Sequence, residues 1–309
     1  MTTITPNAVV AVSTASRTTT KRLRPPWQKW VLEVGWRHLV GIIAVAFALF
    51  PIVFVVSSAL NPIGTLNGSG LVPHHASLHN FSQLLSNPSY PFLDWMANSL
   101  VISGLATIIS LFLSVCAAYA FSRMRFRARR GGLLAILLVQ MFPSLLSVIT
   151  LYLMFVSIGN IFPSLAPGRV SLVLVYLGTA LGVNTWLMKG YIDTIPTELD
   201  EAATVDGASH AQIFFGIILR LAAPILVVTG IIAFVGSLNE LAIANIFLTS
   251  GTAKTLIVGL SGLIGGGEQN TYFGQFAAGA LMTGAPVVII FLAFQRYLAG
   301  GLVQGAVKS

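Results

Sequence analysis

The chain has 309 residues, of which 55% are hydrophobic and only 8% charged, with a formal net charge of +8. Soluble domains carry about 25% charged residues, so a water-facing surface cannot be built from so few, and lipid must be the solvent for much of this chain. Cys116 is the single cysteine, which excludes an intramolecular disulfide and a cysteine-based metal site; it sits in an apolar run and reads as a small packing residue. Residues 1–20 are rich in Thr, Ser, Ala and Val without a helical period and read as a disordered tail. They are not expected to be a cleavable signal peptide, because the basic cluster and the apolar run come too late.

A membrane helix needs about 20 apolar residues to cross a hydrocarbon core of about 30 Å. Six stretches qualify: residues 39–59, 100–121, 133–158, 170–188, 213–238 and 276–294. Only 213–238 contains a charge, Arg220, near its start. Pro51, Pro143, Pro224 and Pro286 lie within these stretches and predict local kinks, tolerated where neighbouring helices re-satisfy the freed carbonyl. Lys and Arg accumulate in cytoplasmic connections. Arg17, Lys21, Arg22, Arg24, Lys29 and Arg37 precede the first stretch, and Arg123, Arg125, Arg127, Arg129 and Arg130 separate the second from the third. Lys189 and Arg220 flank the next connection on that side, and Arg296 and Lys308 follow the last stretch. Of the 17 basic residues, only Arg169 and Lys254 fall on the opposite side. The richer side is therefore the cytoplasm, both termini lie there, and the basic excess calls for no nucleic-acid partner. The expected organisation is a cytoplasmic tail over 1–37, a six-helix transmembrane domain over 38–298 and a cytoplasmic tail over 299–309.

The first outer loop, 61–98, holds His74, His75 and His79. A zinc site is one reading; a solvated polar loop is the plainer one. The second, 245–275, contains Gly265, Gly266 and Gly267 and is too long for a simple turn; loops of that length are functional or disordered. Asn239-Glu240 lies at the outer end of the fifth stretch, and Gln140 and Asn184 lie inside the third and fourth. A carboxylate near lipid depth faces a cavity or a partner, so Glu240 and its neighbour are candidates to line a solute path. Gln140 and Asn184 are candidates for the same role or for bonding between helices.

Five of the nine acidic residues fall within 193–206. Thr197-Glu198-Leu199-Asp200 is a helix-start pattern, with a hydroxyl to cap and an acid at the third position. Gly207 fits a helix stop, since it adopts positive φ without a Cβ clash. Ser209-His210-Ala211-Gln212 is a second start. The connection is thus expected to be a short helix, a glycine turn and the long helix entering the membrane. It is either a rigid knob for docking another protein or an ordinary acidic loop.

Glu201-Ala202-Ala203, then Asp206-Gly207-Ala208, then an apolar stretch to Ala223-Pro224 resembles the EAA loop of ABC importer permeases. The run from Ala118 to Phe126, Gln140-Met141-Phe142-Pro143, Lys189-Gly190-Tyr191 and the tail from Gln295 to Lys308 resemble the six-span maltose/maltodextrin permease subunit of that family. Arg220 stands where the family usually has proline, which leaves a local helix bend open. The resemblance implies an all-α membrane protein with six transmembrane helices, the type I ABC importer permease fold, in the bacterial cytoplasmic (inner) membrane. It implies that Glu198, Glu201, Ala202, Ala203, Asp206, Gly207 and Ala208, in a coupling loop at 193–212, meet an ATPase. Gly305, Val307 and Lys308 would contact the same ATPases, and Gly265, Gly266 and Gly267 would contact a binding protein. The implied partners are a homologous larger permease subunit, two ABC ATPase subunits, an extracytoplasmic sugar-binding protein and membrane lipid. No G-x-x-x-x-G-K-[ST] stretch is present, so no cofactor is expected in this chain and ATP and Mg belong to the partner ATPases. The implied cargo is a sugar, with maltose, maltodextrins, trehalose and related oligosaccharides all compatible. A permease for another carbohydrate, an ion-coupled secondary transporter and a non-transporting scaffold remain as alternatives.

Overall fold

The computed structural model describes Trp27 and residues 34–73, 75–265, 267 and 270–306. Apart from Trp27, residues 1–33 lie outside the described residues, as do His74, Gly266, Val307 and Lys308. Among the described residues every regular element is helical. The chain divides into two units, Met1–Pro51 and Ile52–Ser309. Helix α1, Trp36–Leu60, crosses that division, and its first half exposes Ile42, Val45, Phe47 and Leu49. The second unit holds α2 (His79–Ser86), α3 (Phe92–Arg123), α4 (Arg129–Gln140), α5 (Ser144–Gly159) and α6 (Arg169–Ile192). After these come α7 (Glu198–Val205), α8 (His210–Leu221), α9 (Ala223–Leu238), α10 (Ala242–Phe247), α11 (Leu256–Leu263) and α12 (Phe273–Ala306).

Helices α1, α3, α6 and the Phe273–Tyr297 part of α12 are each long and apolar enough to cross a membrane. Helices α8 and α9 make a fifth span if the bent pair counts as one. The stretch 133–158 is not the continuous helix the sequence suggests. Gln140 ends α4, Ser144 begins α5, and between them Pro143 is extended, with φ −61° and ψ 118°. Its ring carries no N–H and disfavours helical backbone at Phe142. Pro224 acts similarly in the first turn of α9, where it supplies no N–H to the Arg220 carbonyl. The axes of α8 and α9 differ there by 73°, so the bend is present without a proline at 220. Pro51 and Pro286 lie inside helices that continue past them. The last helix reaches Ala306, so residues 299–306 of the expected C-terminal tail are helical.

Helix α3 runs along α6 and also along α9. Its buried face is unusually small: Ser99, Ser103, Ala106, Ser110, Ser114, Ala118 and Ser122 recur every three or four residues. That spacing puts them on one side, and small residues let membrane helices approach closely. The other side, with Ile108 and Phe112, is exposed and suited to lipid. Larger side chains close the outer half, where Ile102, Phe155, Leu172, Tyr176 and Phe247 form one buried cluster.

Described parts of both long loops are hydrogen-bonded to the helices. Asn80 on α2 is buried and its amide donates to the carbonyls of Ala59 (3.0 Å) and Asn61 (2.8 Å), with a longer approach to Ser58 (3.5 Å). Asn80→Ala removes these donations, and a lost buried bond costs about 1–3 kcal/mol. We expect a lower melting temperature for the detergent-purified protein and faster proteolysis within 61–78. The 245–275 loop is not a free projection. Trp95 Nε1 donates to Gly251 O (2.8 Å), Asn98 Nδ2 to Thr252 O (2.8 Å) and Lys254 O (3.0 Å), and Ser99 Oγ accepts from Leu256 N (2.7 Å). These bonds pin the loop to α3 and leave its tip exposed, with Gly265 and Gly267 at the surface and Gly267 at φ +93°.

Candidate functional site

Helix α7 is eight residues long, shorter than the roughly 12–15 residues that an isolated helix needs for marginal stability. Its conformation must therefore come from its ends and its packing. Glu198, Asp200 and Glu201 occupy the first turn, where the helix dipole favours negative charge. The predicted Thr197 hydroxyl cap is absent: Thr197 is itself helical (φ −69°, ψ −22°) and makes no side-chain capping bond. Asp200, the acid of that pattern, instead meets Arg123 at 2.6 Å. The Thr197 hydroxyl is out of capping position because its backbone is already helical, and the Asp200 carboxylate is committed to a tertiary ion pair.

The far end follows local rules closely. Gly207 has φ +84°. Its N–H donates to Thr204 O (3.0 Å), and the Ala208 N–H donates to Ala203 O (2.9 Å). These two bonds are the Schellman pattern, which uses a glycine in the left-handed region to satisfy the last carbonyls of a helix. Ser209 then caps α8 reciprocally. Its Oγ accepts from Gln212 N (3.4 Å) and its N–H donates to Gln212 Oε1 (2.7 Å).

The sequence-predicted coupling residues divide between two faces. Glu198, Glu201, Ala202, Val205, Asp206 and Gly207 are exposed, Val205 at 87%. Positions 198, 201, 202 and 205 follow helical spacing, so one acidic and apolar stripe faces away from the chain. Ala203 and Ala208 point the other way. They are half-buried against a cluster that includes Tyr119, Ile195, Ile213 and Phe214.

The inner end of α3 holds this knob. Arg123 Nη2 donates to Ile195 O (2.7 Å), Ser122 Oγ donates to Asp193 Oδ1 (2.6 Å), and Lys189 pairs with Asp193. Arg129 Nε and Nη2 donate to the last α3 carbonyls, Phe121 O (2.6 Å) and Ser122 O (2.9 Å). Burial pushes the Asp193 carboxyl up, but the bonds from Lys189 and Ser122 and the charges of Lys189 and Arg129 outweigh it and hold it below the ordinary carboxylate value. A lowered folded value contributes stability that is complete above the unfolded pKa and is lost only as pH falls through the folded one. The joint at Asp193 is thus indifferent to pH near neutrality. Sequence reasoning missed Arg123 and Asp200 as partners, and counted Arg123 only as a topology charge. The available signal was its position, one helical turn after the buried Tyr119 and inside α3 itself.

Two of the membrane-depth candidates come together and two do not. Asn184 and Glu240 line one cavity of about 370 Å³, together with Thr107, Ser110, Tyr176 and Ser237. Asn184 is 5% exposed and its amide nitrogen has no partner among the described residues. Gln140 borders a neighbouring cavity of about 1140 Å³ with Met141, Phe142 and Phe155, which adjoins the first at Thr179 and Ile243. Its Nε2 donates to Thr179 O (3.0 Å) and its side chain lies against Gly182, tying α4 to α6. Asn239 bonds back to Val235 O (2.9 Å) in its own helix. Glu240 is largely committed to the fold: its oxygens accept from Ile243 N (2.9 Å), Ala244 N (2.9 Å) and Tyr176 OH (3.0 Å). Glu240→Gln turns an amide N–H₂ toward one of these donors and should cost about 1–3 kcal/mol. Tyr176→Phe, which removes one donor, should cost less, and thermal melts of the purified variants order the two. Among the described residues no group of three or more His, Cys, Asp or Glu could hold a metal.

The sequence model for binding-protein-dependent transport system inner membrane components matches residues 88–304. The chain is 34% identical over 295 residues to the maltose/maltodextrin transport system permease protein MalG of Vibrio vulnificus (strain YJ016), covering 91% of this chain and 96% of that one. It is 35% identical over 283 residues to the MalG protein of Escherichia coli (strain K12), covering 88% and 94%. Among solved structures, a bacterial ABC transporter involved in the import of the acidic polysaccharide alginate matches with a TM-score of 0.73 at 23% identity, covering 89% of this chain and 99% of that one. At that identity the likeness concerns the fold.

Proposed function

The chain belongs to the family of binding-protein-dependent transport system inner membrane components, multi-pass proteins of the cytoplasmic membrane, and from that membership we propose that it is the permease subunit of an ATP-driven sugar importer of the maltose/maltodextrin type. It crosses the membrane six times, with α4 and α5 together forming a broken third span, and both termini face the cytoplasm. It has no catalytic role of its own. It forms half of the pathway with a larger homologous permease, and two ATPase subunits, which hold ATP and Mg, drive the pair from below. A sugar-binding protein delivers cargo from outside and touches the loop tip at the exposed Gly265 and Gly267. The C-terminal residues 305–308 reach the ATPases.

The observation that carries this reading is the exposed stripe of α7. A membrane chain with so few charges places Glu198, Glu201 and Asp206 beside a solvent-facing Val205 on one rigid helix. Acidic side chains set around Ala202 and Val205 suit a basic groove on a partner, and the Schellman turn at Gly207 fixes the direction in which they point. Binding of ATP closes the ATPases, α7 follows, and the helices rotate between inward-open and outward-open arrangements. For that, the ATPase must favour one arrangement over the other.

The test is purification with co-purifying subunits and a screen of sugars with their binding protein. Maltose or a maltodextrin should stimulate ATP hydrolysis by the reconstituted complex. Uptake driven by a proton or sodium gradient, and unaffected by loss of ATP, would sink the assignment.

A further inference from the structure

We propose that Arg123 is the positioning residue of this coupling element: its ion pair with Asp200 makes α7 and α3 move as one body, so that a displacement of the exposed stripe is delivered to the longest span in the core. The inference rests on α7 being the ATPase-docking element.

Topology alone does not account for Arg123. A cytoplasmic connection can place its charges anywhere, and Arg125, Arg127 and Arg130 on the same connection are exposed and have no ion pair among the described residues. The Arg123 side chain is 10% exposed and that of Asp200 17%. Taking a charge out of water is costly unless it is partnered, so the placement is specific. Capping α3 does not account for it either, because Arg129 already serves the Phe121 and Ser122 carbonyls. Arg123 reaches forward instead, holding the Ile195 carbonyl on the α6–α7 connection and the Asp200 carboxylate on α7 itself. Its neighbour Ser122 holds Asp193 at the end of α6. Two consecutive residues of α3 therefore grip both ends of the segment that leads into the knob.

The form of the pair suits a joint under motion. Arg123 Nε approaches Asp200 Oδ2 at 2.6 Å without forming an aligned hydrogen bond, and Asp200 Oδ1 has no hydrogen-bond partner. The attraction is mainly between charges, which falls slowly with angle, whereas a hydrogen bond weakens steeply when bent. On the inner side, the Ala203 and Ala208 contacts with the Tyr119 cluster resist sliding but offer no directional hold. The hydrogen bond from Arg123 Nη2 to Ile195 O supplies it, and the ion pair adds an attraction that keeps α7 against α3.

The test uses the full complex in liposomes with Arg123→Gln, Arg123→Lys and the charge-swapped double variant Arg123→Asp with Asp200→Arg. ATP hydrolysis is read with and without sugar-loaded binding protein, and uptake is read in the same vesicles. R123Q should assemble and hydrolyse ATP, with uptake per ATP reduced on the order of tenfold, the usual size of a coupling between sites. R123K and the swapped pair should recover most of the loss. Unchanged uptake per ATP in R123Q overturns the proposal. If R123Q fails to accumulate, the swapped pair decides: recovery of assembly and coupling supports the joint, while recovery of neither, or of assembly alone, makes the pair a folding element and overturns it. A wild-type complex without sugar-stimulated hydrolysis overturns the importer function itself; a stimulated wild type beside an unaffected R123Q overturns only the role of Arg123.

Discussion

Gly207→Val should lower sugar uptake by the reconstituted complex at least roughly tenfold while the protein remains in the membrane. The reason is conformational and not steric. A Cβ at Gly207 meets nothing within 4 Å, but the residue stands at φ +84°. An L-residue there costs about 1–2 kcal/mol, more for a β-branched one, and each 1.4 kcal/mol is about tenfold in population. The turn would relax into another conformation, and α7 would present its stripe in a different direction. A graded series separates this from clash: Asn, which tolerates the left-handed region, should retain most uptake, Ala less, and Val least. Hydrolysis of ATP without matching uptake is the expected signature. Equal uptake in all three variants would remove the turn from the mechanism.

Gly259→Val should act on folding and not on coupling. A Cβ built at Gly259 overlaps the indole of Trp95. That ring cannot move aside readily, because its Nε1 is bonded to Gly251 O and it is buried among Leu84, Phe92, Leu256, Leu260 and Leu263. Overpacking of this kind costs about 1–3 kcal/mol and sometimes more. Membrane yield and melting temperature should both fall sharply. Pairing Gly259→Ala with Trp95→Leu should be less damaging than Gly259→Ala alone, since the smaller side chain opens the space. If the double variant is no better, the contact is not the cause.

Local rules carried the reading of the sequence as far as local chemistry decides the structure. The apolar stretches appear as helices because lipid leaves the backbone no other partner than itself. Ser209 with Gln212, and Gly207, behave as their residue types require, because both motifs close within a few residues. Thr197 fails as a cap because its own backbone is already helical, and the Asp200 carboxylate pairs with Arg123, 77 positions earlier in the chain, a distant charge that leaves no trace in a four-residue pattern. The break at Pro143 was expected as a kink and is a full interruption, with Pro143 itself in extended backbone between α4 and α5. Helix α11 was invisible for the same reason. Residues 256–263 read as apolar loop until Trp95, Asn98 and Ser99 fasten them to α3. At membrane depth, residue type identified Glu240 and Asn184 as notable but could not tell that one is absorbed by three donors and the other left with an idle amide.

Helix α3 has 32 residues, about 48 Å at 1.5 Å per residue, and it holds one set of partners at each end: the 251–256 segment outside, and the 193–200 segment inside. A helix advances about 100° per residue, since a turn takes 3.6. Inserting one residue anywhere between Ser99 and Ser122 would leave every apolar contact chemically acceptable to lipid, yet turn one set of partners away from its bonds by more than a quarter circle. The helix therefore acts as an angular ruler. Its composition can drift freely on the lipid side, but its length can change only in steps that restore the phase, the shortest of which is about seven residues, or some 10 Å.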